Sequence, residues 1–358
     1  MLYREAGQFK TSYAADLAIF PILQDRIGIA FILLTAFVII PLAADDFFLS
    51  SIMIPFLIFA LATIGLNILT GYAGQLSLGT GAFMGVGAYA CYKLTSIFPD
   101  ANIIVLVLLS GFFAAGIGVV FGLPSLRIKG FYLAITTLAA QFFLEWAFIR
   151  IAWLYNYNPS GAIEVPTRTV MGVAFAGPLA TPLTRYFVVL VIVLALTWLA
   201  TNLVRGRIGR SWMMVRDMDI AAELIGIRML RTKLLAFAVS SYYCGVAGAM
   251  LVFFWYGAAE PSAFSIRVSF LVLFMVIIGG LGSLMGSFMG AAFIWALPVV
   301  LRYLPESLGI TLRAATVEHL TQITIGALII IFLIVEPHGL ARLWQIGKQK
   351  LRVWPFPY

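Results

Sequence analysis

The sequence predicts an all-α polytopic membrane protein of about ten transmembrane helices, and three observations predict it. Mean hydropathy is +1.03 with only 11% charged residues, against roughly a quarter in soluble domains, so 358 residues lack the polar surface to cover a globule in water. Apolar windows recur whose length approaches the roughly 20 residues a helix needs to cross a bilayer. The segments of about ten residues alternating in polarity that would mark a β-barrel are not found.

Apolar length and turn signals place the crossings near 27–44, 47–69, 77–98, 103–123, 130–153, 185–204, 234–257, 267–281, 284–302 and 319–336. The polar stretch before the first run is too long for a secretory signal peptide, so that run reads as a retained helix. The eighth and ninth form one apolar run interrupted by "GGLGSLMGSFMG" (Gly279 to Gly290), either two short helices or one broken one.

Charge tests the count. With the N-terminus cytoplasmic, 16 of the 23 Lys and Arg fall on the inner side and 7 on the outer, the bias of the positive-inside rule. Fusing the eighth and ninth crossings would put Arg342, Lys348, Lys350 and Arg352 outside, so parity favours two. Both termini are then cytoplasmic. The chain divides into an N-terminal segment 1–26, a permease domain 27–340 and a tail 341–358. The net charge of +8 thus reads as topology rather than nucleic-acid binding. The outer loop 154–184 holds Pro159, Pro166, Pro178 and Pro182 and reads as an ordered cap over the outer mouth or as a tolerated surface loop.

Catalysis finds little support. Cys91 and Cys244 lie in apolar segments as small hydrophobes, with no disulfide or metal-ligand spacing. His319 and His338 belong to no zinc pattern, and no G-x-x-x-x-G-K-[ST] phosphate loop occurs. No cofactor, no metal and no ATPase site of its own are expected.

Among polar residues inside crossings, Glu145 in "AAQFFLEWAFIR" stands out, with Gln141 one turn earlier. A charge at membrane depth defaults to a functional reading; the plainer one pairs it with Arg150 or another helix near the outer interface. Asn67 reads as a helix–helix hydrogen bond or a ligand contact. Glycine is denser in information. "GLNILTGYAGQLSLGTGAFMGVGAY" (Gly65 to Tyr89) contains Gly71, Gly74, Gly79, Gly81 and Gly85, and Gly282, Gly286 and Gly290 form a double G-x-x-x-G. Such spacing serves close helix packing, or helices broken to expose backbone polar groups along a transport path.

The loop 205–233 interrupts this apolar chain with Arg205, Arg207, Arg210, Arg216, Arg228, Arg231 and Lys233. "DIAAELIG" within it reads as a short helix, with Asp219 as N-cap, Ala221, Ala222, Glu223 and Leu224 as helix formers and Gly226 at C′. Ser211 would cap a second helix carrying Trp212, Val215 and Arg216. The pair is suited to lie on the bilayer as a basic amphipathic element or to fill a groove on a cytoplasmic partner.

This stretch resembles the cytoplasmic "EAA…G" loop of ABC importer permeases, whose coupling helix docks on the ATPase subunit. The chain is more closely similar to the LivM-type permeases of the branched-chain amino acid ABC transporter family. The glycine-rich block Gly65 to Tyr89, "LRIKGFYLAITTLA", "VRDMDIAAELIGI" followed by "KLLAFAVSSYYCGVAGAM", "IIGGLGSLMGSFMGA" and "EPHGL" carry the resemblance over most of 60–340. Asp219 stands near where that pattern usually has Glu, and loop 154–184 resembles no block of the family. The resemblance implies an ABC importer permease fold with glycine-broken helices in a bacterial inner membrane, surrounded by membrane lipid. It further implies a second, LivH-type permease subunit, two cytoplasmic ATP-binding subunits and a periplasmic substrate-binding protein. In that scheme Arg216, Asp219, Ala221, Ala222, Glu223 and Gly226 couple to the ATPase. Branched-chain or other hydrophobic amino acids are the first cargo, with urea, amides and aromatic acids as further ones. The rival classes are an ion-coupled secondary transporter, a passive channel and a membrane enzyme.

Overall fold

Long apolar runs leave the backbone no water to bond with, so they become helices. The computed structural model describes residues 11–12, 23–125, 132–158, 161–170, 173–307, 314–336 and 338–353. Helix α1 runs Leu23–Leu34 and continues through a π-helical turn, Thr35–Ile39, to Ile40–Ala43. Helix α2 is continuous from Asp46 to Tyr72, with π-helical turns at Leu49–Met53 and Ile68–Tyr72. Helices α3 (Thr80–Ile97), α4 (Ile103–Ser125), α5 (Tyr132–Arg150) and α6 (Pro182–Arg205) follow. Two short helices, α7 (Arg207–Asp217) and α8 (Asp219–Leu224), precede α9 (Met229–Met250, prolonged by a π-helical Leu251–Tyr256). The chain ends in α10 (Ile266–Gly279), α11 (Leu284–Ser307), α12 (Ala314–Val335) and α13 (Gly339–Val353).

Each of the ten expected crossings coincides with one of α1–α6 and α9–α12. Among the described residues, eight helices are long and apolar enough to cross a membrane. The other two are α3, diluted by glycine and by Lys93, and α12, apolar over His319–Phe332. The eighth and ninth crossings are two helices, α10 and α11. The tail 341–358 is helical through Val353, and Lys348 Nζ there holds Asp25 Oδ1 of α1 at 2.7 Å; most of segment 1–26, and the block 126–131, lie outside the described residues.

Helix α2 is the buried centre, packed on α6, α9, α10 and α11. Trp295 of α11 stacks on Phe59, ring centroids 5.2 Å apart, and donates to the Ser51 carbonyl at 3.2 Å. Tyr243 of α9 donates to the Leu196 carbonyl of α6 at 2.7 Å. Helices α3, α4 and α9 form the tightest layer. A Cβ built on Gly87 would stand 2.0 Å from the Gly245 carbonyl oxygen, and one on Gly248 only 1.9 Å from that of Met84. Only glycine permits α3 and α9 to meet backbone to backbone.

The connection between α5 and α6 carries two short strand pairings among its described residues. Ile163–Glu164 pairs antiparallel with Ala258–Ala259, and Arg168–Val170 pairs with Val173–Ala176. Arg168 donates to the carbonyls of Thr95 and Pro99 at the end of α3. These pairings and the Arg168 bonds pin the connection to α3 and to the end of α9.

Candidate functional site

The two glycine-rich blocks, more than two hundred residues apart, meet at one end of α2. The helix passes Asn67, widens into its π-turn and leaves helical geometry at Gly74, whose φ is +68°. Opposite, α10 stops at Gly279 and the chain turns through Gly280 and Gly282, at φ +116° and +75°. Fully buried Asn67 clasps this turn. Its Nδ2 donates to the Ser283 carbonyl at 2.8 Å and Ser287 Oγ at 2.9 Å, and its Oδ1 accepts the Gly282 N–H at 2.9 Å. Each such bond contributes about 1 kcal/mol net, and more is lost when one buried partner is left alone. Asn67 is thus a tie between helices, one of its two expected roles.

The charged loop folds against the same end. Fully buried Trp212 fastens α7, its Nε1 donating to the Thr232 carbonyl at 3.1 Å. Four residues later Arg216 reaches the break: Nη1 donates to the Gly71 carbonyl at 2.7 Å, while Nε donates to Asp217 Oδ1 at 2.8 Å. That hydrogen bond holds the Asp217 carboxyl below the usual carboxylate range. The Arg216 stem lies against Gly74, where an added Cβ would stand 2.8 Å from its Cγ. Arg216, Gly71, Gly74, Asn67 and Gly282, chosen for different reasons in the sequence, form one cluster.

Helix α8 ends as the sequence predicts. Gly226 is at C′ with φ +90°, its N–H bonds the Glu223 carbonyl at 2.9 Å, and the Ile227 N–H bonds that of Ala222 at 3.0 Å. These two bonds are the Schellman motif. Ala222 is buried on the bundle side, whereas Ala221 and Glu223 are exposed. Met218, Ile220, Leu224 and Ile225 are also exposed, Leu224 at 84%. A groove of about 480 Å³ between α7 and α8 is lined by Met213, Met214, Met218, Ala222 and Ile225.

Two capping expectations are corrected. Met218, at φ −150°, occupies the N-cap of α8, and Asp219 is the first helical residue, favourable there through the helix dipole alone. Ser211 lies inside α7, because the helix begins at Arg207 right after Gly206; its hydroxyl bonds back to the Arg207 carbonyl at 2.9 Å. Such back-bonding satisfies a serine within a helix.

The remaining glycines pack helices. Gly79 immediately precedes α3, and the Gly81 N–H bonds Ser269 Oγ at 2.7 Å. Gly85 receives the Phe148 ring, and Gly286 faces the Gly279 carbonyl. Glu145 is half-buried on α5 and makes no ion pair with Arg150 or any other described residue. Its neighbour Gln141, fully buried, does the joining: Nε2 donates to the Phe264 carbonyl at 2.8 Å and Oε1 accepts from the Ala82 N–H at 2.8 Å and Ser269 Oγ at 2.9 Å. A carboxamide inside an apolar helix was the signal for it. Among the described residues no cluster of three His, Cys, Asp or Glu side chains could hold a metal ion.

Residues 48–333 match the family model described as "Branched-chain amino acid transport system / permease component". The chain belongs to this permease family. Two curated relatives are both called "High-affinity branched-chain amino acid transport system permease protein LivM". That of Escherichia coli (strain K12) is 28% identical over 307 residues, covering 79% of this chain and 68% of the relative. That of Salmonella typhimurium is 29% identical over the same shares. A solved chain of PsaBC from Streptococcus pneumoniae, in complex with Fab, superposes with TM-score 0.45 at 13% identity, over 86% of this permease and 98% of that chain. The permease is a LivM-type membrane subunit of an ABC importer, and the glycine clasp and the charged loop both lie within the matched span.

Proposed function

We propose that this permease moves branched-chain or other hydrophobic amino acids inward through a path it builds with a second, LivH-type permease. Two cytoplasmic ATP-binding subunits drive it, and a periplasmic binding protein delivers the cargo. It sits in a bacterial inner membrane with α7, α8 and both termini cytoplasmic, and it carries no ATPase site of its own. The observation that carries the coupling role is the Arg216–Gly71 hydrogen bond, which joins the surface pair of helices to the end of the central helix. ATPase closure would push the exposed apolar tip of α8, and the rigid attachment through Trp212 and Arg216 would pass that displacement to α2 and, through Asn67, to the α10–α11 turn.

The test is ATP-driven uptake of labelled leucine by proteoliposomes holding the whole complex. Gly226→Pro forces a negative φ on a residue at +90°, and Glu223→Arg reverses an exposed charge beside the tip. Each is expected to cut uptake roughly tenfold or more while leaving the melting temperature of the purified chain near wild type. Normal uptake in both variants would remove the docking role.

An ion-coupled carrier would need Glu145 as its titrating group. Glu145→Gln is expected to leave ATP-driven uptake unchanged, and a proton- or sodium-gradient-dependent loss would favour the carrier instead.

A further inference from the structure

The exposed face of α8 that docking would use also borders a cleft: Ile220, Ala221 and Leu224 form one side of a space of about 600 Å³ between α8 and the bundle, within the size range of small-molecule sites. Its walls come from separate parts of the chain: Gln75 beyond the helix break, Leu133 at the start of α5, Arg216, Asp217 and Asp219 on the loop helices, and Lys233 on α9. Gln75 is only 4% exposed, and neither atom of its amide group has a hydrogen-bond partner among the described residues. A buried group left so costs about 1–3 kcal/mol, and native proteins keep few such groups without a use.

The lining has two cations, two carboxylates, one carboxamide and an apolar wall. A simple anion or cation would meet opposing charges of the wrong sign, which disfavours both. A small zwitterion with an apolar side chain complements all of them. We propose that this cleft binds an apolar α-amino acid from the side on which α8 lies, and that its occupancy holds α8 against the bundle. The Arg216 guanidinium is already committed to Gly71 and Asp217, which leaves Lys233 for the ligand carboxylate, Asp219 for its ammonium, and the Gln75 amide for either. The apolar side chain lies along Leu133. A ligand so placed bridges the α2–α3 connection to α8, and it opposes the displacement that transport requires. Accumulated product then slows its own import. This inference rests on the proposed reading that the cargo is a hydrophobic amino acid and that α8 is the moving part.

Two experiments separate the inference from that reading. The purified full-length chain is titrated calorimetrically with L-leucine, and proteoliposomes of the whole complex, with ATP enclosed, are assayed for uptake with and without enclosed leucine. Wild type is expected to bind one leucine with Kd between about 1 μM and 1 mM, and enclosed leucine to slow initial uptake severalfold. Gln75→Leu removes the amide, and Leu133→Trp fills the cleft. Both are expected to weaken binding roughly tenfold or more and to abolish the slowing, while uptake into leucine-free vesicles persists. No saturable binding by a chain whose complex imports leucine overturns the inference and leaves the transport reading intact; so does binding indifferent to both substitutions. Leucine binding by a chain whose complex imports none overturns the cargo reading and leaves the cleft.

Discussion

Gly71→Val is expected to leave little folded permease. A Cβ at Gly71 would stand 2.0 Å from Asn67 Oδ1 and 2.2 Å from the Gly282 nitrogen, and neither neighbour can withdraw cheaply. The Asn67 amide is held by its bonds to Ser283 and Ser287, and Gly282 is backbone in a turn at φ +75°. Overpacking a tight site costs about 1–3 kcal/mol and occasionally more. Displacing Asn67 adds about 1–3 kcal/mol for polar groups left unpaired in a buried setting. The two together are a large part of the stability of an ordinary domain. The measurement is the yield and melting temperature of purified chain in mild detergent, with Gly71→Ala as the graded case, expected to be lowered less than the valine variant. A valine variant that melts and transports as wild type would show that the clasp contributes nothing.

Arg216→Ala is expected to do the opposite: keep the fold and lose transport. The side chain is 36% exposed, and α7 stays fastened by Trp212, so stability should move little. What disappears is the bond from the loop helices to the end of α2. Coupling free energies between sites typically run about 1–3 kcal/mol, or roughly 5–150-fold, so uptake should fall by a factor in that range while ATP hydrolysis by the complex continues. Arg216→Lys should recover only part, because a single ammonium cannot serve Gly71 and Asp217 with the geometry of two guanidinium nitrogens. Equal loss of ATP hydrolysis and uptake would place Arg216 in the docking surface and not in the transmission.

The course of the helices was legible because a crossing is a matter of apolar length, which needs no partner to be seen. Gly226 was legible for a similar reason, since a helix end with a left-handed residue is a local event. Assembly was not. Arg216 and Gly71 each stood out, yet nothing in either stretch says that a guanidinium 145 positions along bonds that particular carbonyl. In the sequence Gln141 stands out less than its neighbour Glu145, although it is Gln141 that joins α3, α5 and α10. A charged residue stands out because charge is costly in a membrane, but a carboxamide with both a donor and an acceptor is better suited to join helices. Asp219 and Ser211 misled because their side chains fit a cap wherever they stand, while the chain direction set at Gly206 and Met218 decided where the helices began.

The central helix carries a consequence of its own. With 27 residues from Asp46 to Tyr72 at 1.5 Å each, α2 is about 40 Å long, more than the roughly 30 Å of hydrocarbon it would cross. It is therefore a single strut whose two ends lie on opposite sides of the membrane. Each end carries one widened turn, at Leu49–Met53 and Ile68–Tyr72, and a π-turn holds one residue more than an α-turn. Passing that surplus residue along the helix shifts the backbone register by one step, about 1.5 Å of travel and a rotation of roughly 100°, with every other hydrogen bond remade behind it. Any stroke taken by that route would come in whole residues, as on a screw thread.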